Sequence, residues 1–125
     1  MIVSRCRDIE EFKKVHAQCD NGCISTAENL LALGDYCFCF YSRETGKLLG
    51  CIYLEDDNGR VCLSGFSVRK NYDIVIRAIK LISDIFHEDD LYSLTDKKSA
   101  IMVLLRCGFK KIDDETYIRK AFWYG

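Results

Sequence analysis

The sequence predicts one α/β (α+β) domain over residues 1–125, with a mixed sheet of six or seven strands and helices on both faces. Short apolar runs of strand length alternate with amphipathic runs of helical period. Asp35 to Ser42 is apolar on both of its alternating faces, which is typical of a strand that is covered on both sides. Arg60 to Val68 is followed by a polar turn and by Ile74 to Phe86, a pattern that indicates a strand crossing into a helix.

The first elements are a short strand and two helices. Met1 to Ser4 is an edge strand, and Asp8 to Gln18 has apolar residues three to four positions apart on one face. Ser25 and Glu28 have the spacing of a capping box, with Ser25 at the cap. This pair predicts a second helix that runs through Leu33.

A three-stranded meander comes next. Asp35 to Ser42 turns back into Leu48 to Leu54, and the acidic turn Asp56 to Gly59 leads into Arg60 to Val68. The long helix Ile74 to Phe86 then crosses over the sheet.

The remaining elements are a strand, a helix and a last pair of strands. Leu91 to Leu94 is a short strand, and Lys98 to Arg106 is a helix that ends at Cys107 and Gly108. Phe109 to Ile112 and Thr116 to Tyr124 are the last strands, which gives the order β-α-α-β-β-β-α-β-α-β-β. The side chains expected to be nearly inaccessible to solvent are Phe38, Phe40, Ile52, Val61, Leu63, Ile79, Ile82, Ile101 and Leu105.

Composition excludes several functional classes. The net charge is -1 and basic residues are scattered, so we expect no nucleic-acid partner. No apolar run reaches membrane-spanning length, and the first residues meet charge too early for a signal peptide. We therefore expect a cytoplasmic protein that does not bind membranes.

Eight cysteines occur: Cys6, Cys19, Cys23, Cys37, Cys39, Cys51, Cys62 and Cys107. Most lie inside apolar runs, and no secretion signal precedes them, so we expect all eight to be reduced, metal-free core residues. The alternative is a zinc site at the end of the first helix, made by His16, Cys19 and Cys23. No fourth ligand is in register with these three.

Two stretches resemble a known family. The first is Gly65-Phe66-Ser67-Val68-Arg69 followed by a helix, and the second is residues 99–110, SAIMVLLRCGFK. With the element order, they resemble the fourth strand, pyrophosphate loop and late helix of the GNAT superfamily of acyl-CoA-dependent N-acetyltransferases. The resemblance implies acetyl-CoA as cofactor, with pantetheine paired to the fourth-strand backbone and pyrophosphate at the next helix N-terminus. The residues that it assigns to cofactor binding are Phe66, Ser67, Val68, Arg69, Lys70 and Asn71.

The sequence also departs from the family pattern. The family loop carries glycines that let backbone N–H groups approach the phosphates, whereas Lys70 to Val75 contains none. Asp73 occupies the position expected for a helix N-cap, where its carboxylate would repel a phosphate. Leu104 and Lys97 stand where many members carry tyrosine and asparagine, and the fourth strand has no glutamate.

Two functions follow from these observations. The first is a GNAT fold kept as a scaffold for a protein partner, similar to short GNAT-like proteins that some bacteriophages encode for particle assembly or host takeover. In that case the protein lies in the host cytoplasm or in the virion, and Trp123 is the candidate anchor for the partner. The second is an acetyltransferase of unusual form, with Glu55, Tyr92 and His87 as candidate catalytic groups. Each candidate also has a purely structural interpretation: Glu55 begins an acidic turn, Tyr92 is a core aromatic, and His87 caps a helix end.

Overall fold

A computed structural model describes residues 1–19, 25–68 and 71–123. It has seven strands and four helices in the predicted order, in one mixed sheet with the strand order β1-β2-β3-β4-β5-β7-β6, which confirms the fold class. The elements are β1 (Ile2–Ser4), α1 (Ile9–Gln18), α2 (Ala27–Leu31), β2 (Cys37–Tyr41), β3 (Leu48–Asp57), β4 (Arg60–Ser67), α3 (Tyr72–Ile85), β5 (Leu91–Leu94), α4 (Lys98–Arg106), β6 (Lys110–Lys111) and β7 (Thr116–Arg119). No helix among the described residues is long and apolar enough to cross a membrane.

The chain forms two compact units. Unit 1 comprises Met1–Leu54 and Ser64–Asn71, and unit 2 comprises Glu55–Leu63 and Tyr72–Gly125. In unit 1, one face of β2 and β3 packs against α1 and α2, because alternate residues of both strands are apolar. The buried side chains of this core are Phe12, Val15, Ala27, Leu30, Cys37, Cys39, Tyr41, Leu48, Cys51, Tyr53 and Phe66.

Two glycines let the strands of unit 1 approach closely. A Cβ at Gly50 would lie 2.3 Å from the carbonyl oxygen of Phe66, and a Cβ at Gly65 would lie 2.3 Å from that of Cys51. Neither distance is compatible with a side chain, so both positions require glycine unless the backbone moves.

In unit 2, α3 and α4 pack together and Arg119 of β7 closes the end of α3. Strand β5 is parallel to β4, pairing Val61 with Leu91 and Cys62 with Tyr92. On its other side, β5 is antiparallel to β7.

The turn between β3 and β4 is tighter than predicted. Asn58 and Gly59 both have positive φ, at 53° and 83°, as a two-residue hairpin turn requires. Strand β3 therefore extends to Asp57, and Glu55 lies within the strand and not in an acidic turn.

Several local predictions are wrong. Tyr36 belongs to a 3₁₀ turn, Gly34–Tyr36, so it precedes the strand and is 54% exposed. The cap of α2 is Thr26, whose Oγ1 accepts from the Asn29 N–H, and not Ser25. Leu105 is 52% exposed, because the inner face of α4 is formed by Val103 and Leu104 together with Cys107, which follows them by four and three positions.

The other expected core residues divide into two groups. Phe40, Ile52, Leu63, Ile79 and Ile82 are buried, as predicted. Phe38, Val61 and Ile101 are only half-buried.

Candidate functional site

The end of β4 is the stretch that the family resemblance assigns to pantetheine. The Phe66 side chain is buried in the core of unit 1, where its ring meets those of Phe12 and His16 edge to face at 5.5 and 5.3 Å. Ser67 and Val68 are half-buried. Phe66 therefore contributes only its backbone to any binding surface.

The backbone of Ser67 and Val68 already has partners within the chain. The Val68 N–H donates to the Leu49 carbonyl at 2.7 Å, so this amide points toward β3. Successive residues of a strand point their backbone groups to opposite edges, so those of Ser67 point away from β3. The Ser67 carbonyl accepts from Cys19 Sγ at 3.1 Å. Burial raises the pKa of the Cys19 thiol, so the sulfur keeps the proton that it donates.

The turn that follows β4 is partly described. Arg69 and Lys70 lie outside the described residues, so their predicted contacts with pyrophosphate stay predictions. The Asn71 side-chain amide donates to the Val68 carbonyl at 2.9 Å. The cofactor-binding assignment of Asn71 is likewise untested, but its amide donor is engaged.

The first turn of α3 carries a negative charge. The helix begins at Tyr72, so Asp73 is its second residue and not the residue before it, which corrects the predicted N-cap position. The Asp73 side chain is exposed. A carboxylate in the first turn interacts favourably with the positive end of the helix dipole, and it opposes a phosphate at the same place.

The three candidate catalytic residues lie on three different elements of unit 2. His87 is in the turn after α3, where its Nδ1 lies 2.9 Å from the Phe122 carbonyl oxygen, and the Phe122 N–H donates to the His87 carbonyl at 2.9 Å. The Arg60 guanidinium lies over the Tyr92 ring, with its Cζ 4.6 Å from the ring centroid. Glu55 is half-buried on β3. His87 and Tyr92 thus already contact other groups of the chain, a backbone carbonyl and a guanidinium.

Trp123 has the exposure expected of a partner anchor. Its side chain is 70% exposed, and its ring contacts His87 edge to face at 5.8 Å. Phe122 is half-buried, and Tyr124 lies outside the described residues. Partner binding by Trp123 stays a prediction.

The residues of the alternative zinc site have other partners. His16 Nε2 lies 2.9 Å from the Ser25 carbonyl oxygen, and Cys19 Sγ donates to Ser67. Cys23 lies outside the described residues. The seven cysteines that are described are free, with no disulfide among them.

Three of these thiols are grouped in unit 1. Cys37, Cys39 and Cys51 are buried, and their sulfurs all lie within 4.8 Å of one another. Hydrogen bonds from the Cys39 and Cys51 thiols lower the pKa of Cys37, whereas the pKa of Cys51 is raised by its bonds to the other two and by burial. This group was not predicted, although the alternate cysteines of β2 are visible in the sequence.

A groove of about 1130 Å³ opens on unit 1 between α1 and the start of β3. Glu11 lies on its wall and accepts from the Leu48 N–H at 3.2 Å. Its charged lining residues carry both signs: Asp8, Glu10, Glu11, Lys13, Lys14 and Lys47. The groove therefore has no strong preference for an anion or a cation.

Comparisons with known proteins give similarity in solved structures only. No family model matches the sequence, and no curated protein matches it. An N-acetyltransferase from Staphylococcus aureus Mu50 superposes with a TM-score of 0.65 at 14% identity, over 94% of each chain. An acetyltransferase of the GNAT family from Bacillus anthracis gives 0.60 at 10% identity, over 93% of this chain and 90% of that one.

A third solved structure is a spermidine N-acetyltransferase chimera from Vibrio cholerae and hSSAT. Its TM-score is 0.62 at 11% identity, over 94% of each chain. At such low identity the likeness is one of fold, and it covers nearly the whole chain.

Proposed function

Because the chain has the fold of the GNAT acetyltransferases, we propose that it uses this fold as a scaffold that binds a protein partner. In this proposal the acyl-CoA site is degenerate, and acetyl-CoA binds weakly or not at all. The proposal includes the setting implied by the resemblance to short phage-encoded GNAT-like proteins, which is particle assembly or host takeover, in the host cytoplasm or the virion.

The observation that carries the proposal is the engaged backbone at the end of β4. The Ser67 carbonyl points to the strand edge opposite β3, and the Cys19 thiol holds it at 3.1 Å. Pantetheine pairing at this edge would have to displace that donor. The Val68 N–H cannot pair with pantetheine either, because it points to the other edge and donates to the Leu49 carbonyl.

Charge at the start of α3 supports the same conclusion. A phosphate there would meet the exposed Asp73 carboxylate within the first helical turn. No glycine occurs from Phe66 to Val75, so the backbone lacks the residue type that lets N–H groups converge on phosphate oxygens. Arg69 and Lys70 supply positive charge, but exposed charges give about 1 kcal/mol or less each.

Trp123 is the anchor for a protein partner in this proposal. It is an exposed large aromatic side chain, the type that contributes most to binding in protein interfaces. It is also the single tryptophan of the chain, so fluorescence reports on it alone. We expect the emission of a water-exposed indole in the isolated protein, and a blue shift when a partner covers the ring.

Acetyl transfer is the second candidate function. It is favoured by the solved structures of similar fold, which are N-acetyltransferases, one of them for spermidine. Positioning an amine against a thioester supplies much of such catalysis, so the lost acid and base positions do not by themselves exclude it. Glu55, Tyr92 and His87 would then be the groups to test.

Calorimetry with acetyl-CoA separates the two functions. We expect weak or no binding by the wild-type chain, and about fivefold tighter binding by Asp73→Gly, because the change removes a charge from the first turn of α3. Asp84→Gly is the matched control, because it removes an exposed carboxylate from the other end of the same helix. Tight wild-type binding that is lost in Arg69→Ala, together with acetylation of spermidine, would replace the scaffold by an enzyme.

A further inference from the structure

We propose that Cys37, Cys39 and Cys51 form a site for one soft metal ion, with Cu⁺ as the ion that they bind. This site would be separate from the β4–α3 turn and independent of acyl transfer. It replaces, for these three residues, the expectation of metal-free cysteines.

The register of the β2–β3 hairpin brings the three thiols together. Cys37 and Cys39 are two positions apart on β2, so their side chains share one face of the sheet. Cys51 of β3 is paired directly with Cys39. The three sulfurs consequently converge on one point beneath the helices of unit 1, on a hairpin that is held by backbone hydrogen bonds.

The distances suit a shared ion. Three sulfurs that each lie about 2.3 Å from a metal in a trigonal plane are separated by about 4 Å. Here Cys37 Sγ and Cys51 Sγ are 3.4 Å apart, and no pair in the group is separated by more than 4.8 Å. Small rotations of the side chains would therefore produce coordination geometry without moving the strands.

The donor set selects the metal. The group consists of thiols alone, and thiolates prefer soft ions such as Cu⁺. Three ligands satisfy Cu⁺, whereas a structural zinc ion takes four. Cys6 also interacts with Cys39, but it is half-buried and does not belong to the group within 4.8 Å.

The burial of the three thiols and their protons both affect how Cu⁺ binds. Cys39 and Cys51 are fully buried and Cys37 is 5% exposed, so the ion enters while unit 1 folds or opens. Each thiol loses its proton to the solvent when the Cu–S bond forms, so affinity rises with pH. No change of oxidation state is involved.

The test is a titration of the full chain with Cu⁺ under anaerobic, reducing conditions, against a competing Cu⁺ chelator. It is run on the folded protein and during refolding. We expect one Cu⁺ per chain, with X-ray absorption showing three sulfur neighbours. Cys39→Ser and Cys51→Ser should each weaken binding at least tenfold, whereas Cys107→Ser should not. Cys107 is a matched control because it is buried in unit 2, where its thiol donates to the Ile76 carbonyl.

Three results would overturn the proposal. The first is a wild-type chain that loses Cu⁺ to the chelator both when folded and after refolding. The second is equal weakening in Cys107→Ser. The third is binding of zinc by four sulfurs that is lost in Cys6→Ser. Circular dichroism identifies variants that fail to fold. The number of sulfur neighbours that X-ray absorption shows in the wild-type protein tests the proposal without any variant.

Discussion

Replacing Arg119 by methionine tests a buried cation that no sequence pattern indicated. The side chain is 6% exposed, and its guanidinium closes the end of α3. One Nη donates to the Ser83 carbonyl at 2.5 Å, and the other donates to those of Phe86 and Asp89 at 2.9 and 2.6 Å. Methionine keeps the apolar stem and removes all three donors.

The expected loss of stability follows from these bonds. A hydrogen bond to a charged group contributes about 1.5–3 kcal/mol, so three of them sum to about 5–9 kcal/mol. That sum is an upper bound, because bonds that share one guanidinium are not additive. Removing one partner of a buried charged contact typically costs about 3–5 kcal/mol, so we expect a decrease of about 3 kcal/mol or more in the free energy of unfolding for Arg119→Met. Arg119→Lys should lie between this variant and wild type, because an ammonium cannot form the planar fork.

Urea unfolding followed by circular dichroism measures the effect. Arg106→Met is the matched control, because Arg106 is exposed and also ends a helix, so it tests the helix dipole alone. We expect a loss of about 0.3–1 kcal/mol for this control. If Arg119→Met lost no more than Arg106→Met, with unchanged slopes, the reasoning about the buried cap would be refuted.

Two further predictions concern unit 1. Burial raises the pKa of Tyr41 to about 12, so the stability that its neutral form contributes is complete below pH 10 and is lost between pH 10 and about 12. Tyr41→Phe should remove about 2–3 kcal/mol of that alkaline loss in urea titrations, and an unchanged pH profile would contradict the assignment. Gly65→Ala should lower the free energy of unfolding by at least about 2 kcal/mol, because the new Cβ would strike the Cys51 carbonyl. The control is Ser64→Ala at the exposed neighbouring position, which should change the free energy of unfolding by less than about 0.5 kcal/mol. Equal midpoints for these two variants would show that the strands can separate at little cost.

Periodicity predicted the elements better than their ends. The bounds of β5 and α4 are those expected, because a polar break or a helix-ending glycine marks each limit. The alternation of Tyr36 continues that of β2 and predicts a strand there, yet the backbone is still in the 3₁₀ turn. Periodicity places Leu105 in the core because α4 is apolar on more than one face.

The features of the structure that were not predicted depend on contacts between distant residues. Arg119 reaches carbonyls about thirty or more positions earlier in the chain, which no local pattern encodes. The grouping of Cys51 with Cys37 and Cys39 depends on strand register, which only the pairing of β2 with β3 specifies. The family resemblance located the end of β4, but not the bond from Cys19 to Ser67.

The strand order in unit 2 has a consequence for refolding. Strand β7 follows β6 in the chain, yet it lies between β5 and β6 in the sheet. Until β7 pairs with it, β5 presents an open edge of backbone N–H and C=O groups, and such edges recruit strands from other chains. Variants that weaken β7 should therefore aggregate more during refolding than variants that weaken β6.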